Sequence, residues 1–513
     1  MIRLLVLTTL LFSVGLAEEL FFVAPDGDDD DFGTIDRPLA SIQKAVEWAQ
    51  PGDTVFVREG EYTKYNHAGN TIEMTTCGEP DAYIVFMAYP GETPKIISPT
   101  WNAFVLRGIS YVEINGFELE GVPHAMSDSS GNGIHLYDSS HHIRILNNHV
   151  HHFPGGGIGA NNADYLHIEG NVVHHNAFYS GYQNSGISLY QCTNFDKEPG
   201  YHNIIRDNIC YANENLRLPL WGGDKITDGN GIIFDDSRHE QASGEEEYTA
   251  WTLIENNLVF DNGGRGIHTY LSDRVMVINN TLYHNQRTED IKDGELSVNN
   301  SGDISFYNNI AVPAVGNRGN RIIKGRRIEF DYNLYYNASI VSSPGPHFIQ
   351  NHDPMFVNAD LNPAVADFRL LPGSPAIDSG TAEFAAAADI NGNLRPFGSG
   401  IDRGACEYVA DTAVKTPATP VNFELMPAFP NPFNASTQIQ FNLPNTDWVT
   451  VQIFNVHGRQ VKTLTAGLFA AGMHRLNWHG DANDGSVVCS GIYFIRLDTR
   501  TGLRKSQRIC LIK

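Results

Sequence analysis

The chain has 513 residues, 35 Lys+Arg against 59 Asp+Glu, and a formal net charge of −24. That balance argues against sequence-independent nucleic-acid binding, which depends on cations that neutralise phosphates. At 42% hydrophobic and 11% aromatic the chain is far from disordered composition, and 48 Gly without a strict triplet exclude collagen.

Arg3, the apolar stretch 4–16 and the small residues before Glu18 predict a secretory signal peptide over 1–17. No later stretch has 18 continuous apolar residues, so no membrane span is expected after its removal. Six scattered cysteines do not make a dense disulfide framework. Residues 39–50 carry apolar side chains at helical spacing, which predicts a short helix within an N-terminal cap over 18–60. Strand-like segments follow at 54–57, 83–86 and 111–114.

A repeat then sets the architecture. An Asn followed by apolar residues and an aromatic or His recurs with its anchor at Asn148, Asn171, Asn208, Asn257, Asn280, Asn309 and Asn333, at intervals of 23, 37, 49, 23, 29 and 24 residues. A base period near 23 with insertions, short strands and no intervening helices predicts an all-β right-handed parallel β-helix over 18–408. Cys210 falls in an inward ladder with Val150, Val173, Val259, Leu282 and Ala311, where it reads as a small apolar group. Stacked histidines (His151 with His174, His152 with His175) have the donors for Zn²⁺ or Cu²⁺, although turn ladders account for them. The segment 351–408 closes the helix, and the Pro/Thr-rich stretch 409–421 reads as a linker. From 422 to 513 the strands alternate strictly between Gly-rich turns, which predicts a small antiparallel β-sandwich.

Phe21-Phe22-Val23-Ala24-Pro25-Asp26-Gly27, Arg37-Pro38, Pro51-Gly52-Asp53-Thr54-Val55 and Gly60-Glu61-Tyr62 resemble the start of secreted pectate-lyase-like β-helix proteins, polysaccharide lyase family 9 among them. Asp353-Pro354, Gly373-Ser374-Pro375-Ala376-Ile377-Asp378 and Asp402-Arg403-Gly404-Ala405-Cys406-Glu407-Tyr408 resemble the closing segment of the same group. Pro430-Asn431-Pro432-Phe433-Asn434, Phe454-Asn455-Val456-His457-Gly458-Arg459 and Ser490-Gly491-Ile492-Tyr493-Phe494 are similar to the type A sorting domain of the type IX secretion system. That resemblance implies that 422–513 engages the secretion machinery of a Gram-negative bacterium, leaving the protein extracellular or on the outer-membrane surface. A monomer is expected.

A second repeat, Gly-Ile, begins at Gly133, Gly157, Gly186, Gly231 and Gly266. Alternation along a strand turns two rows outward. The first is His135, Gly159, Ser188, Ile233 and His268; the second is Tyr137, Asn161, Tyr190, Asp235 and Tyr270. Asp235 is therefore expected between two phenol rings, where desolvation raises a carboxyl pKa and suits a general acid. Only the coils bearing Tyr190 and Asp235 are lengthened on both sides of the strand. Their insertions, with Tyr179, Tyr182, Trp221, Asp224, Lys225, Asp228, Arg238 and 245–247, are expected to wall a cleft.

Polysaccharide is the expected substrate, and elimination from a uronate polymer the first reading. Lys225 or His268 would be the base, and Asp224, Asp228, Asp235 and Asp236 could hold Ca²⁺. A glycoside hydrolase pairing Asp235 with Asp236 is the alternative, and a non-catalytic surface carbohydrate binder a third. Tyr137, Tyr190, Tyr270, His135, Asn161, Trp221 and Arg238 are the candidate substrate contacts. The basic run from Arg318 to Arg327 could meet uronate carboxylates, and Asp28 to Asp31 reads as a solvated loop. Family 9 lyases place a Lys base on a strand and an Asp-rich calcium motif in an earlier coil. Here Ile233 stands where that Lys is expected, and 185–191 has no Asp, so the family's site is not carried over.

Overall fold

The computed structural model describes residues 19–63, 69–99, 101–122, 131–241, 246–409 and, with short gaps, 423–511. The expected signal peptide, most of the expected linker and Glu245 lie outside the described residues. Two compact units divide the chain near residue 410.

The first unit is a right-handed parallel β-helix built from three long sheets of 11, 9 and 11 strands. Each coil contributes one strand to each sheet; Ile134–Tyr137, His141–Leu146 and His149–His151 make one such coil. Strands stack in register about 4.8 Å apart. Val150, Val173, Cys210, Val259, Leu282 and Ala311 form one fully buried column, as their alternation requires. All six cysteines are free thiols.

The anchoring asparagines form a hydrogen-bonded spine. Asn148 Nδ2 donates to Asn171 Oδ1 (3.1 Å), Asn171 to Asn208 (2.9 Å), Asn208 to Asn257 (3.0 Å), and so on to Asn333. The residue before each anchor sits in the left-handed region: Asn147 (φ 54°), Asp207 (56°), Asn256 (55°), Asn279 (53°) and Asn308 (57°), with Gly170 (69°) and Tyr332 (52°) in the same place. Asn, Asp and Gly tolerate that conformation best, which explains the doubled Asn of the repeat. A second spine, which the sequence reading does not anticipate, runs five residues after four of the anchors. Asn176, Asn213, Asn262 and Asn285 are linked amide to amide, and the column ends on the buried Glu295 carboxyl group.

The Gly-Ile repeat has a packing cause. A Cβ at Gly133, Gly157, Gly231 or Gly266 would come within 2.2–2.4 Å of Val150, Val173, Val259 or Leu282. Only a bare backbone fits where the corner presses on the core column.

The predicted helix is Ile42–Trp48, and Ser41 accepts from Lys44 N at its start. Asp29 is not simply solvated: it accepts from the backbone of Ala40 and Ser41 and from the Ser41 hydroxyl, holding the helix entry. At the other end Arg403 donates to the carbonyl of Asn333, and a fully buried Arg395–Glu407 pair fixes the closing segment. Within the basic run, Arg321 pairs with Asp293, Arg326 with Asp273 and Arg327 with Asp303 along the edge of the coils.

The second unit contains a three-stranded and a four-stranded antiparallel sheet whose inner faces enclose Ile439, Phe441, Val451, Trp478 and Ile495.

Candidate functional site

The cleft lies on the nine-stranded sheet, over the strands Ile134–Tyr137, Ile158–Asn161, Ile187–Tyr190, Ile232–Asp235 and Ile267–Tyr270. Their register is the one alternation predicts. His135 pairs with Gly159, Ser188 with Ile233 and Ile233 with His268; Asp235 pairs with Tyr190 on one side and Tyr270 on the other. The cavity measures about 950 Å³, enough for several sugar rings. Walls come from the insertions: Tyr182 to Asn184 precede the Tyr190 strand, Trp221 and 225–228 precede the Asp235 strand, and Gln241 follows it. The next coil adds Asp290 and Ile291.

Asp235 is half-buried at the end of its strand. Burial, with the Asp228 carboxylate nearby, drives its carboxyl well above the usual range and favours the protonated form. Gln241 Nε2 donates to it at 3.3 Å. Asp228 also lines the cleft and is raised by burial, but Arg265 opposes the shift and Thr227 Oγ1 and Asn230 Nδ2 each donate to it at 2.8 Å. The two carboxyls therefore sit in unequal environments.

The histidines are neutral for different structural reasons. His135 accepts at Nδ1 from Asn132 Nδ2 (2.7 Å) and Tyr137 Oη (2.6 Å) and meets Asn161 Oδ1 through Nε2 (3.3 Å). Burial lowers it to about 4. Both nitrogens are spent on hydrogen bonds. A side chain at Gly159 would press on Asn132 and His135, so the glycine leaves them room. His268, 3% exposed, points Nδ1 at the Ser297 carbonyl, and burial together with Arg265 lowers it to about 3. A carbonyl only accepts, so Nδ1 carries the hydrogen and Nε2 keeps its lone pair.

Comparison with known proteins agrees with this architecture. Residues 21–196 match the family model described as "Pel9A-like, right handed beta helix region". The β-helix is pectate-lyase-like. Residues 432–502 match the FlgD Ig-like domain, in keeping with the antiparallel second unit. Pectate lyase PEL9 of Emericella nidulans is 33% identical over 240 residues, 41% of this chain and 51% of that protein. The uncharacterized protein YwoF of Bacillus subtilis is 25% identical over 139 residues, 26% of this chain and 28% of that one. This chain thus spans about half the length of the first and about a quarter of the second. Among solved structures, pectate lyase Pel9A is similar with a TM-score of 0.47 and 18% identity, over 77% of this chain and 98% of that one. A rhamnogalacturonan lyase follows at TM-score 0.39 and 15% identity, over 64% and 84%.

In this pectate-lyase-like helix the cleft unites His135, Tyr137, Asn161, Tyr190, Trp221, Lys225, Asp228, Asp235, His268 and Tyr270, all expected from the sequence. Tyr179, Asp224, Asp236, Arg238, Glu246 and Glu247, also expected there, stand outside the lining. Asp236 is fully buried in a left-handed corner (φ 48°), and accepts from Gln191 Nε2 (2.7 Å), Glu240 N (2.8 Å) and Gln241 N (3.0 Å). The corner turns its carboxylate into the loop it caps, so it is no partner for Asp235 on substrate. Arg238 is bound to Asp273 and the Asn300 carbonyl and does not line the cleft. Asp224 is exposed and outside the lining. The four aspartates proposed for Ca²⁺ consequently do not converge. Among the described residues, the three-residue group of metal-type donors lies at Glu120, His151 and His152 instead. The cleft residues do not fit a calcium site built on those four carboxylates, and no step is routed through one.

Arg265 is the main residue that sequence reasoning missed. It lines the cleft nearly buried, clasps the Thr227 carbonyl and Asp293, and leaves Nε without a hydrogen-bond partner. It immediately precedes Gly266, just as Asn132 precedes Gly133 and Asn230 precedes Gly231; stepping one residue back along the Gly-Ile repeat would have found this third row.

Proposed function

We propose that the protein cleaves a uronate-containing polysaccharide by β-elimination in this cleft. The observation that carries the reading is the placement of Asp235, its carboxyl raised by burial, between Tyr190 and Tyr270 in a cleft that also holds the cations Lys225 and Arg265 although the chain is strongly acidic. The sequence similarity to a protein named pectate lyase supports it, since pectate is a uronate polymer.

In this reading Lys225 and Arg265 attract the uronate carboxylate, and the neutral Asp235 hydrogen-bonds to it as negative charge builds there. His268 Nε2 removes the adjacent ring proton; the C–H electrons form the double bond, the glycosidic C–O bond breaks, and the proton passes from His268 through water to the leaving oxygen. Burial that keeps His268 neutral also weakens it as a base, and the negative charge of a bound carboxylate offsets that loss. Trp101, Tyr182 and Trp221 give the apolar faces of sugar rings flat surfaces to stack on.

A second reading, glycoside hydrolysis, is favoured by the unequal pair Asp235 and Asp228: burial raises both carboxyls, but at Asp228 alone Arg265 opposes the rise. Incubation with pectate and related polymers separates the readings. Product absorbing in the ultraviolet supports elimination, new reducing ends without unsaturation support hydrolysis, and retained polymer binding without either product leaves a carbohydrate binder.

We further propose that 1–17 exports the chain and that 422–513 addresses it to the type IX machinery, on the motif resemblance in the second unit. Deleting 422–513 should hold the protein in the periplasm of an expressing host; unchanged surface delivery would remove the sorting role.

A further inference from the structure

A group of histidines and glutamates gathers on a different sheet from the cleft. The strands Glu118–Gly121, His149–His151 and Val172–His174 pair in parallel, so that Glu120, His151 and His174 form one column and Glu118 stands beside His149. His151 and His174 stack at 5.0 Å and His152 and His175 at 5.3 Å. Ladder stacking explains those like-on-like pairs. It does not explain the contacts between unlike positions: His151 Nδ1 lies 2.7 Å from His152 Nδ1, and His149 Nε2 lies 2.6 Å from His174 Nε2.

We propose that Glu120, His151 and His152 form a binding site for a transition-metal dication of the Zn²⁺ type. One donor atom from each lies within 4.8 Å of the others. Imidazole and carboxylate donors suit zinc, and three protein ligands with a water make its usual four-coordinate set. An independent contact orients the site. His151 Nε2 lies 3.3 Å from Glu118 Oε1. A carboxylate accepts only, so Nε2 carries the hydrogen and the Nδ1 lone pair is directed at His152, the carboxylate–histidine arrangement that commonly backs a metal ligand. His152 supplies its own lone pair when its Nδ1 hydrogen moves to Nε2, an exchange between neutral tautomers. The position already attracts a cation: Lys95 Nζ pairs with Glu118 (3.0 Å) and Glu120 (2.5 Å), and the metal takes its place on Glu120. A bound ion would tie the coil of Glu120 to that of His151.

Zn²⁺ titrated calorimetrically into chelator-stripped full-length protein is expected to show one such site per chain and to raise Tm. His152→Asn, which suits the left-handed backbone there (φ 60°), and Glu120→Gln, on a half-exposed strand residue, should each weaken binding about tenfold or more. Polysaccharide turnover should be unchanged in both, because neither residue lines the cleft. Absence of Zn²⁺ binding by the unaltered protein, or equal affinity in both folded variants, would overturn the proposal. If one variant loses its thermal transition, the other decides.

Discussion

His268 gives its Nδ1 hydrogen to the carbonyl oxygen of Ser297, 3.2 Å away in the next coil. That bond fixes the tautomer and directs the basic nitrogen away from the core. His268→Ala should lower turnover of the cleaved polymer about 10²-fold or more, the usual scale for a proton-transfer group, with little change in polymer binding. Turnover within a factor of two of the unaltered protein would remove His268 from the chemistry.

Asp235 separates the two chemistries. Its carboxyl is raised above the ordinary carboxylate value, so its protonated form is populated below that raised pKa and lost as pH rises through it. Activity should accordingly fall on an alkaline limb. In elimination the residue donates a hydrogen bond, which an amide can imitate, and Asp235→Asn should cost about tenfold; in hydrolysis it transfers a proton, and the loss should reach about 10²–10⁴. A pH–rate profile of each variant reads both effects, and unchanged turnover would discard Asp235 from either scheme.

Trp221 is 66% exposed on the cleft wall. Trp221→Ala should raise KM for the polymer roughly tenfold, the worth of one aromatic stacking contact, while Tm stays put. An unchanged KM would mean that substrate passes elsewhere.

Glu295 ends the second asparagine column fully buried, and burial raises it to about 8 from an ordinary 4.5. The folded state then holds a proton that the unfolded state releases, so stability is greatest at low pH within this window and declines from about pH 4.5 to about 8. Glu295→Gln should flatten the decline by up to a few kcal/mol, read from denaturant unfolding at several pH values. Parallel pH curves for the two proteins would show that Glu295 does not titrate there.

The architecture was legible because a parallel β-helix writes itself into a chain as a period. Anchors such as Asn171 and Asn208, and outward residues such as Tyr190 and Asp235, repeat at fixed offsets, and the ladder then dictates their neighbours. What the pattern could not reveal is what happens where it breaks. Asp236 sits one residue past the strand, and its direction depends on a left-handed corner and on Glu240 and Gln241, which follow no repeat. Arg238 was lost to Asp273, a partner 35 residues away in the next coil. Arg265 was overlooked because its row runs Asn, Gly, Ser and Asn before reaching a charge.

The two amide columns bracket four three-residue strands of the sheet that holds His149–His151, from Val172–His174 to Thr281–Tyr283, one column entering each such strand and the other leaving it. Neither end of that strand can absorb an extra residue without severing a column. Length variation is thereby confined to the far side of the coil, where the cleft walls stand, and new substrate-shaping loops can be tried there while the scaffold stays in step.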